Sequence, residues 1–396
     1  MHEIPSVSQT NTRRLMTAAC SGMFVFGIVM AILGAILPDL FAKVGFDKGA
    51  AGDLFLTMNF AMLVMTLFFG PMVDRFGFKV LLVASALLVA GAFFLLSMAS
   101  TYGLILAAAV VLGLGGGGLN GGTNTLTSDI HEAEKRGPAM NVLGVFFGFG
   151  ALTIPFLIGT LLASLGMGKI LLLAVVLSLV PLVLFAASRF PRAKQSQGFP
   201  IKDAARIGRD PLLWLCAFLL FFQSGNEFTV GGWISTYLQE TFGVGPAAAA
   251  LVLAGYWAAI MAGRFISSRV LRAVGPSKLV LMSAVLALTA AVLLRMAPSA
   301  VPAAAGAVLI GLGFAAIYPT TLAVVGENFA AFTGTAFSFV IAVGLAGGML
   351  APWLAGRIAR GAGLRQGLFL PVLNCAMIIV LQIFIARAAK RRRAAA

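Results

Sequence analysis

The sequence predicts an all-α integral membrane protein, with twelve transmembrane helices in two pseudo-symmetric six-helix bundles, and three observations carry that prediction. Of its 396 residues, 60% are hydrophobic and only 10% charged, and the mean hydropathy of +1.01 lies far above a soluble mixture. Apolar runs recur along the whole chain, each with the roughly 20 residues a helix needs to cross about 30 Å of hydrocarbon. The two halves also share their punctuation, as shown below.

The first run begins after Arg13 and Arg14 and continues to about Phe41. It is longer than a signal-peptide core and has no small-residue cleavage site, so it reads as a retained span flanked by basic residues. The arginine pair in "TRRLM" is a flank of this kind rather than a twin-arginine export signal. Gly, Pro and charged breaks then place helices near 14–41, 50–72, 79–99, 102–128, 137–165 and 169–188. The stretch "SRFPRAKQSQGFPIKDAARIGRDP", with three prolines and six Lys or Arg, is a linker. Six further spans follow near 211–240, 246–271, 277–296, 301–326, 332–357 and 365–387. The expected domains are therefore an N-terminal bundle over 1–188, a cytoplasmic linker over 189–210, and a C-terminal bundle with a basic tail over 211–396.

An even number of spans puts both termini on one side. Arg13, Arg14, Arg75, Lys79, Lys135, Arg136, the linker, Arg264, Arg269, Arg272, Lys278 and the "RAAKRRR" tail all fall on that side. By the excess of Lys and Arg in inner loops this face is expected to be cytoplasmic, in the inner membrane of a bacterium. Arg357, Arg360 and Arg365 fall on the opposite face, where charge bias gives no reason for them. The alternate-loop pattern accounts for the net charge of +15 and implies a lipid bilayer, not a nucleic acid, as the partner. Cys20, Cys216 and Cys375 occupy three separate apolar runs, which fits packing and neither a metal site nor a disulfide framework. No cofactor and no metal is expected.

A shift of 198 sets Gly27, Gly34, Leu40 and Gly45 on Gly225, Gly232, Leu238 and Gly243. The same shift sets Gly113 on Gly311, Asn120 on Tyr318, and Asp129 on Glu327. One residue of slippage then sets Gly137, Gly150, Pro155, Gly159 and Gly166 on Gly334, Gly347, Pro352, Gly356 and Gly363. A nearly constant shift over most of a half implies two parallel repeats related by an axis along the membrane normal.

Between spans 2 and 3 lies "GPMVDRFGFK", in which Gly70 ends a helix, Asp74 and Arg75 stand together, Gly77 makes a turn and Lys79 opens the next helix. A tight helix-to-helix turn favours glycine at positive φ. This segment resembles the signature loop of the major facilitator superfamily, and with twelve spans and a central linker the resemblance covers essentially the whole chain. It implies transport by alternating access, with Asp74 and Arg75 in a cytoplasmic charge cluster that closes an inner gate. The second half has "GRFISSRVLRAVGPSK" with Arg264 and Arg269, but no acid in the place of Asp74. Glu327 is the expected substitute, pairing with Arg264 or Arg269, and Asp129 its counterpart for Arg75 or Arg136. Exposed pairs of this kind select states rather than brace the fold.

The resemblance further implies that spans 1, 4, 7 and 10 line the solute path. In "GLGGGGLNGGTNTLTSD" of span 4, Asn120 and Asn124 share a helix face. The glycines before them suit close helix packing; they follow no strand, so no dinucleotide site is expected. Span 7 contains "FFQSGNEFTVGGWISTYL", where Gln223, Asn226 and Glu227 interrupt an apolar run. Counted from Pro211, Glu227 is about 24 Å along a helix, in the outer part of a span of ordinary length. A carboxylate there must face protein or water, and an ionisable group inside a membrane is functional by default. Amides, one acid and nearby aromatics suit a polyhydroxylated solute. Asn59, Trp257 and Tyr318 are additional binding candidates.

"SGNEFTVGGW" and "GFGALTIPFLIG" resemble the fucose:proton symporter branch of that superfamily. That branch usually places an acid in span 1 or 4, whereas here Asp39 stands near the outer end of span 1, leaving Glu227 as the proton-coupling candidate. The expected function is secondary active transport of a small solute, a sugar first, by a monomer, with protons as the coupling ion. The alternative is an exporter of hydrophobic drugs or metabolites. An enzyme is not expected: His2 and His131 lie outside the spans, and neither a G-x-S-x-G nor a phosphate-binding G-x-x-x-x-G-K-[ST] occurs.

Overall fold

The computed structural model describes residues 9–190, 208–329 and 333–395. Most of the expected linker therefore lies outside the described residues. Helices α1 (Gln9–Val44), α2 (Lys48–Ser97), α3 (Tyr102–Ile130) and α4 (Ala133–Ala187) precede it. After it come α5 (Pro211–Phe242), α6 (Pro246–Val274), α7 (Pro276–Met296), α8 (Ala300–Phe314), α9 (Ile317–Asn328), α10 (Thr333–Ala362), α11 (Leu364–Gly367) and α12 (Phe369–Ala395).

Among the described residues eleven helical stretches are long and apolar enough to span a bilayer, and one of them, Pro138–Ala187, is 50 residues long. At 1.5 Å per residue that stretch would measure about 75 Å, more than twice the hydrocarbon thickness. Gly166, at φ 73 and ψ 160, breaks it in two, and twelve crossings result. Gly77, at φ 77 and ψ 162, divides α2 in the same way, so the glycine read as a turn is one. Span 10 runs through Ala300–Asn328. Pro319 cannot donate to the carbonyl of Ala315, so the hydrogen-bond ladder lapses between Phe314 and Ile317, although Ala315 and Ala316 keep helical φ/ψ.

The described residues form two compact units. The first comprises Met1–Ile32, Phe60–Leu157 and Leu161–Gly198. Its core is a set of glycine seams: Gly115 meets Ser85 and Val89, and Gly117 meets the Met62 backbone. A Cβ on Gly150 would collide with the Phe24 carbonyl of α1. The run of glycines in span 4 thus packs helices, as its composition implies.

The second unit comprises Leu33–Asn59, Ile158–Thr160 and Phe199–Ala396. Gly347, the repeat counterpart of Gly150, meets the carbonyl of Phe221 on α5, one residue from the Phe222 that corresponds to Phe24. The same seam therefore recurs in each half, where the repeat in the sequence places it. Three further crossings lie in this unit. Gly34 of α1 abuts the Gly231 carbonyl, Gly52 of α2 would place a Cβ 2.9 Å from the Trp353 carbonyl, and Gly159 of α4 abuts Leu251. Asp210 caps α5 through the Leu212 amide at 2.9 Å and pairs with Arg392 of the basic tail.

Candidate functional site

Helix α5 has 32 residues, two more than the expected 211–240, and Glu227 stands about halfway along it. Glu227 keeps part of its surface accessible, whereas Gln223 and Asn226 beside it are fully buried. Gln223 Nε2 donates to the carbonyl of Phe314, at the break in span 10, at 3.4 Å. Asn226 Nδ2 reaches Cys375 Sγ of α12 at 3.3 Å. These two amides therefore sit in helix seams, while the carboxylate does not. Their amide oxygens, Gln223 Oε1 and Asn226 Oδ1, make no hydrogen bond among the described residues.

Helix α6 runs antiparallel to α5 and supplies what surrounds Glu227. The Tyr256 hydroxyl donates to the backbone carbonyl of Glu227 at 3.2 Å, and the Trp257 ring covers Gly231, one turn along the same face of α5. Arg264 lies seven residues beyond Trp257, on the same face of α6. Its charge acts on Glu227, and on Tyr256 and Tyr318 as well. Next to it, Gly263 packs on Ala315, where span 10 is interrupted. Glu227, Arg264, Tyr256 and Tyr318 thus share one electrostatic neighbourhood within the second unit. The sequence reading had assigned Arg264 to the cytoplasmic gate and missed Tyr256. The seven-residue spacing from Trp257 was the signal available for Arg264.

Trp233 and Tyr237, the other aromatics of span 7, are anchors. Trp233 Nε1 donates to the Pro352 carbonyl at 3.0 Å and Tyr237 Oη to the Leu294 carbonyl at 3.2 Å, both side chains fully buried. Asn59 is fully buried and donates to the Phe55 carbonyl of its own helix at 2.9 Å. In the first unit Asn124 Nδ2 bridges to Asn120 Oδ1 at 2.9 Å and to the Asn120 carbonyl at 2.8 Å, so the predicted shared face is real.

At the basic end, Arg75 stacks on Phe76 with 5.3 Å to the ring centroid, and Arg269 on Phe265 with 4.3 Å. Lys79 is exposed. Arg136 Nε donates to the His131 carbonyl at 3.2 Å. The surroundings of Gly70 and the side chain of Asp74 lie outside the described residues. Glu327 lines a cavity of about 330 Å³ together with Lys278, Asn328 and Lys390.

The end opposite the basic loops holds ion pairs that explain two of the three unplaced arginines, and a backbone contact that holds the third. Arg357 Nη2 pairs with Asp53 Oδ1 at 2.8 Å, Arg360 Nε with Asp47 Oδ2 at 3.0 Å, and Lys48 Nζ with Glu240 Oε2 at 3.0 Å. Arg365 donates to the Ala297 carbonyl at 3.1 Å. The Ala50 amide, donating to Asp47 Oδ1 at 2.8 Å, together with Arg360, the Gly49 amide and Arg357, holds the Asp47 carboxyl below the usual carboxylate range. All these acids were visible in the sequence, but they were not weighed against the arginines of the same face.

Twelve crossings with a repeat shared by the two halves define a polytopic helical membrane protein of the transporter type. The family model for the Major Facilitator Superfamily matches residues 19–352 and 213–396, and the chain belongs to that family. A "Glucose/galactose transporter" of Brucella abortus biovar 1 (strain 9-941) is 22% identical over 391 residues, covering 94% of each chain. The vacuolar membrane amino acid uptake transporter fnx2 of Schizosaccharomyces pombe is 30% identical over 131 residues, 32% of this chain and only 23% of that one. Among solved structures, a D-xylose-proton symporter superposes with a TM-score of 0.78 at 14% identity, covering 95% of this chain and 97% of that one. The E. coli fucose:proton symporter FucP gives a TM-score of 0.66 at 18% identity, covering 95% and 99%. The resemblance to sugar permeases read from the sequence is therefore shown.

Proposed function

We propose that this chain is a secondary active transporter that moves a small polar solute, a sugar first among them, by alternating access, with Glu227 carrying the coupling proton. One observation carries the reading: Glu227, midway along span 7, is only part-buried while every other polar side chain of that turn is buried. An acid so placed must meet water or solute. The interrupted span 10 beside it is of the kind that builds transporter sites. Asn120, Asn124, Asn59, Trp257, Tyr318, Gln223 and Asn226 complete the proposed path. Asp74, Arg75, Arg136, Asp129, Arg269 and Glu327 belong to the proposed inner gate, on a cytoplasmic face that also bears both termini. The pairs of Asp47, Asp53 and Lys48 then close the outer face.

The alternative, an exporter of hydrophobic compounds, has one observation in its favour. A cavity of about 430 Å³ in the first unit is lined mainly by apolar groups, among them Met16, Cys20, Phe24 and Phe146.

The test is transport in proteoliposomes across a panel of sugars, organic acids and lipophilic cations, with internal pH recorded. A polar solute should accumulate when the outside is acid, and Glu227→Gln should keep exchange while losing accumulation. Uptake and pH dependence unchanged in that variant would remove Glu227 from the mechanism. Movement of lipophilic cations alone would favour the exporter.

A further inference from the structure

The site reading above leaves Arg264 without a task, and its position gives it one. On α5, Glu227 lies one turn from Gly231, and on α6 Arg264 lies two turns from Trp257, the ring that covers Gly231. Both steps run toward the same end of the antiparallel pair, about 6 Å for Glu227 and about 10 Å for Arg264. Helical side chains lean toward their own N-terminus, which turns the Arg264 guanidinium back toward Glu227. The groups nearest this pair on neighbouring helices are Tyr256 on α6, whose hydroxyl donates to the Glu227 carbonyl, and Tyr318 on α9; Cys375 on α12 is held by Asn226. The arginines of α10 that pair with acids lie at its far end, at 357 and 360.

The formal charge of the empty pair is zero. If Glu227 takes a proton while a neutral solute binds, the part-buried pair carries one net positive charge. A charge left unbalanced within its pair, away from bulk water, disfavours that state. If the solute brings one negative charge, the proton on Glu227 frees Arg264 to hold the anion, and the total returns to zero. A guanidinium also matches a carboxylate with two parallel hydrogen bonds.

Resting on the transporter reading above, we infer that the coupled solute is a small hydroxylated monocarboxylate, bound through its carboxylate to Arg264 while Glu227 holds the proton. Each cycle moves one anion and one proton in the same direction. The proton enters on the Glu227 carboxylate from one side and leaves it on the other, so no net charge crosses.

The test uses the full chain in proteoliposomes, with D-gluconate and D-glucuronate against D-glucose and D-galactose. Uptake is driven either by a pH gradient or by a potassium diffusion potential. The acids are expected to accumulate under the pH gradient, with less than about a twofold response to potential. Arg264→Gln should raise the KM for the acids by about 10-fold or more, in keeping with a charge-assisted bidentate contact. The double variant Glu227→Gln, Arg264→Gln should melt close to the unaltered protein, since it removes both charges together, yet fail to take up the acids. Recovery of acid uptake in that double variant would reduce the pair to a brace and overturn the inference. Proton-coupled, potential-sensitive uptake of a neutral sugar would overturn it too, as would uncoupled uptake of a neutral sugar, and either would leave the transporter reading standing. If neither solute class moves, the inference falls, and the transporter reading is decided by the wider panel above.

Discussion

Arg357 places Nη2 2.8 Å from Oδ1 of Asp53, and the indole of Trp353 donates to the same oxygen at 3.0 Å. Both donors come from one turn of α10, so a single carboxylate on α2 is held by two side chains. The Arg357 guanidinium also lies 5.5 Å from the Trp353 ring centroid, which limits its freedom. Neither Arg357 nor Asp53 is buried, at 41% and 35% side-chain exposure.

Such a pair contributes about 0.2–1 kcal/mol, enough to shift a two-state balance roughly twofold to fivefold. Asp53→Asn or Arg357→Gln should therefore populate the form in which this face is open, with little change in melting temperature. Spin labels on Lys43→Cys and Gly361→Cys would report it as a growing long-distance component. An unchanged distance distribution would show that the pair holds nothing shut.

Acidity should act on this face only at an extreme. Because the folded carboxyl of Asp47 titrates below its ordinary value, its contribution is complete above the ordinary aspartate range and is lost as pH falls through the lowered value. Between pH 8 and pH 5 the label distances should stay constant, and lengthening should set in only below about pH 4. Lengthening near pH 6 would place control elsewhere.

The crossing of Gly34 with Gly231 admits no side chain. A Cβ would meet a backbone carbonyl, which cannot rotate away as a flexible side chain can. Gly34→Val should cost about 1–3 kcal/mol in the closed arrangement through overpacking. The protein should still fold, with the labelled face held apart and transport reduced about 10-fold or more. Full activity would mean that the crossing is not formed during the cycle.

Span 10 offers a test of the interrupted helix. Pro319→Ala restores a backbone donor for the Ala315 carbonyl and removes the ring that opposes it. We expect stability to rise by about 1 kcal/mol and transport to fall, because Tyr318 would turn with the straightened helix. A stabilised variant with undiminished uptake would show that the interruption serves packing alone.

Much of this architecture was legible in the chain. Twelve spans, the turn at Gly77 and the shared face of Asn120 and Asn124 follow from local periodicity and glycine chemistry, and the structure has them. The repeat was legible because Gly150 and Gly347 each serve a backbone crossing that no other residue fits. The partners of Arg264, Arg357 and Arg360 were less so. Those arginines face acids 37 residues away in one case and more than 300 in the others, and no local pattern encodes such distances.

The two sets of charges differ in their access to dissolved ions. Those around Asp53 and Asp47 stand where electrolyte reaches them, and at 0.15 M its screening length is about 8 Å. Glu227 and Arg264 are part-buried along their helices and are screened less. Background salinity would therefore bias which way an idle carrier rests without altering what it accepts, so vesicle experiments at low and high ionic strength would begin from different resting populations of one protein.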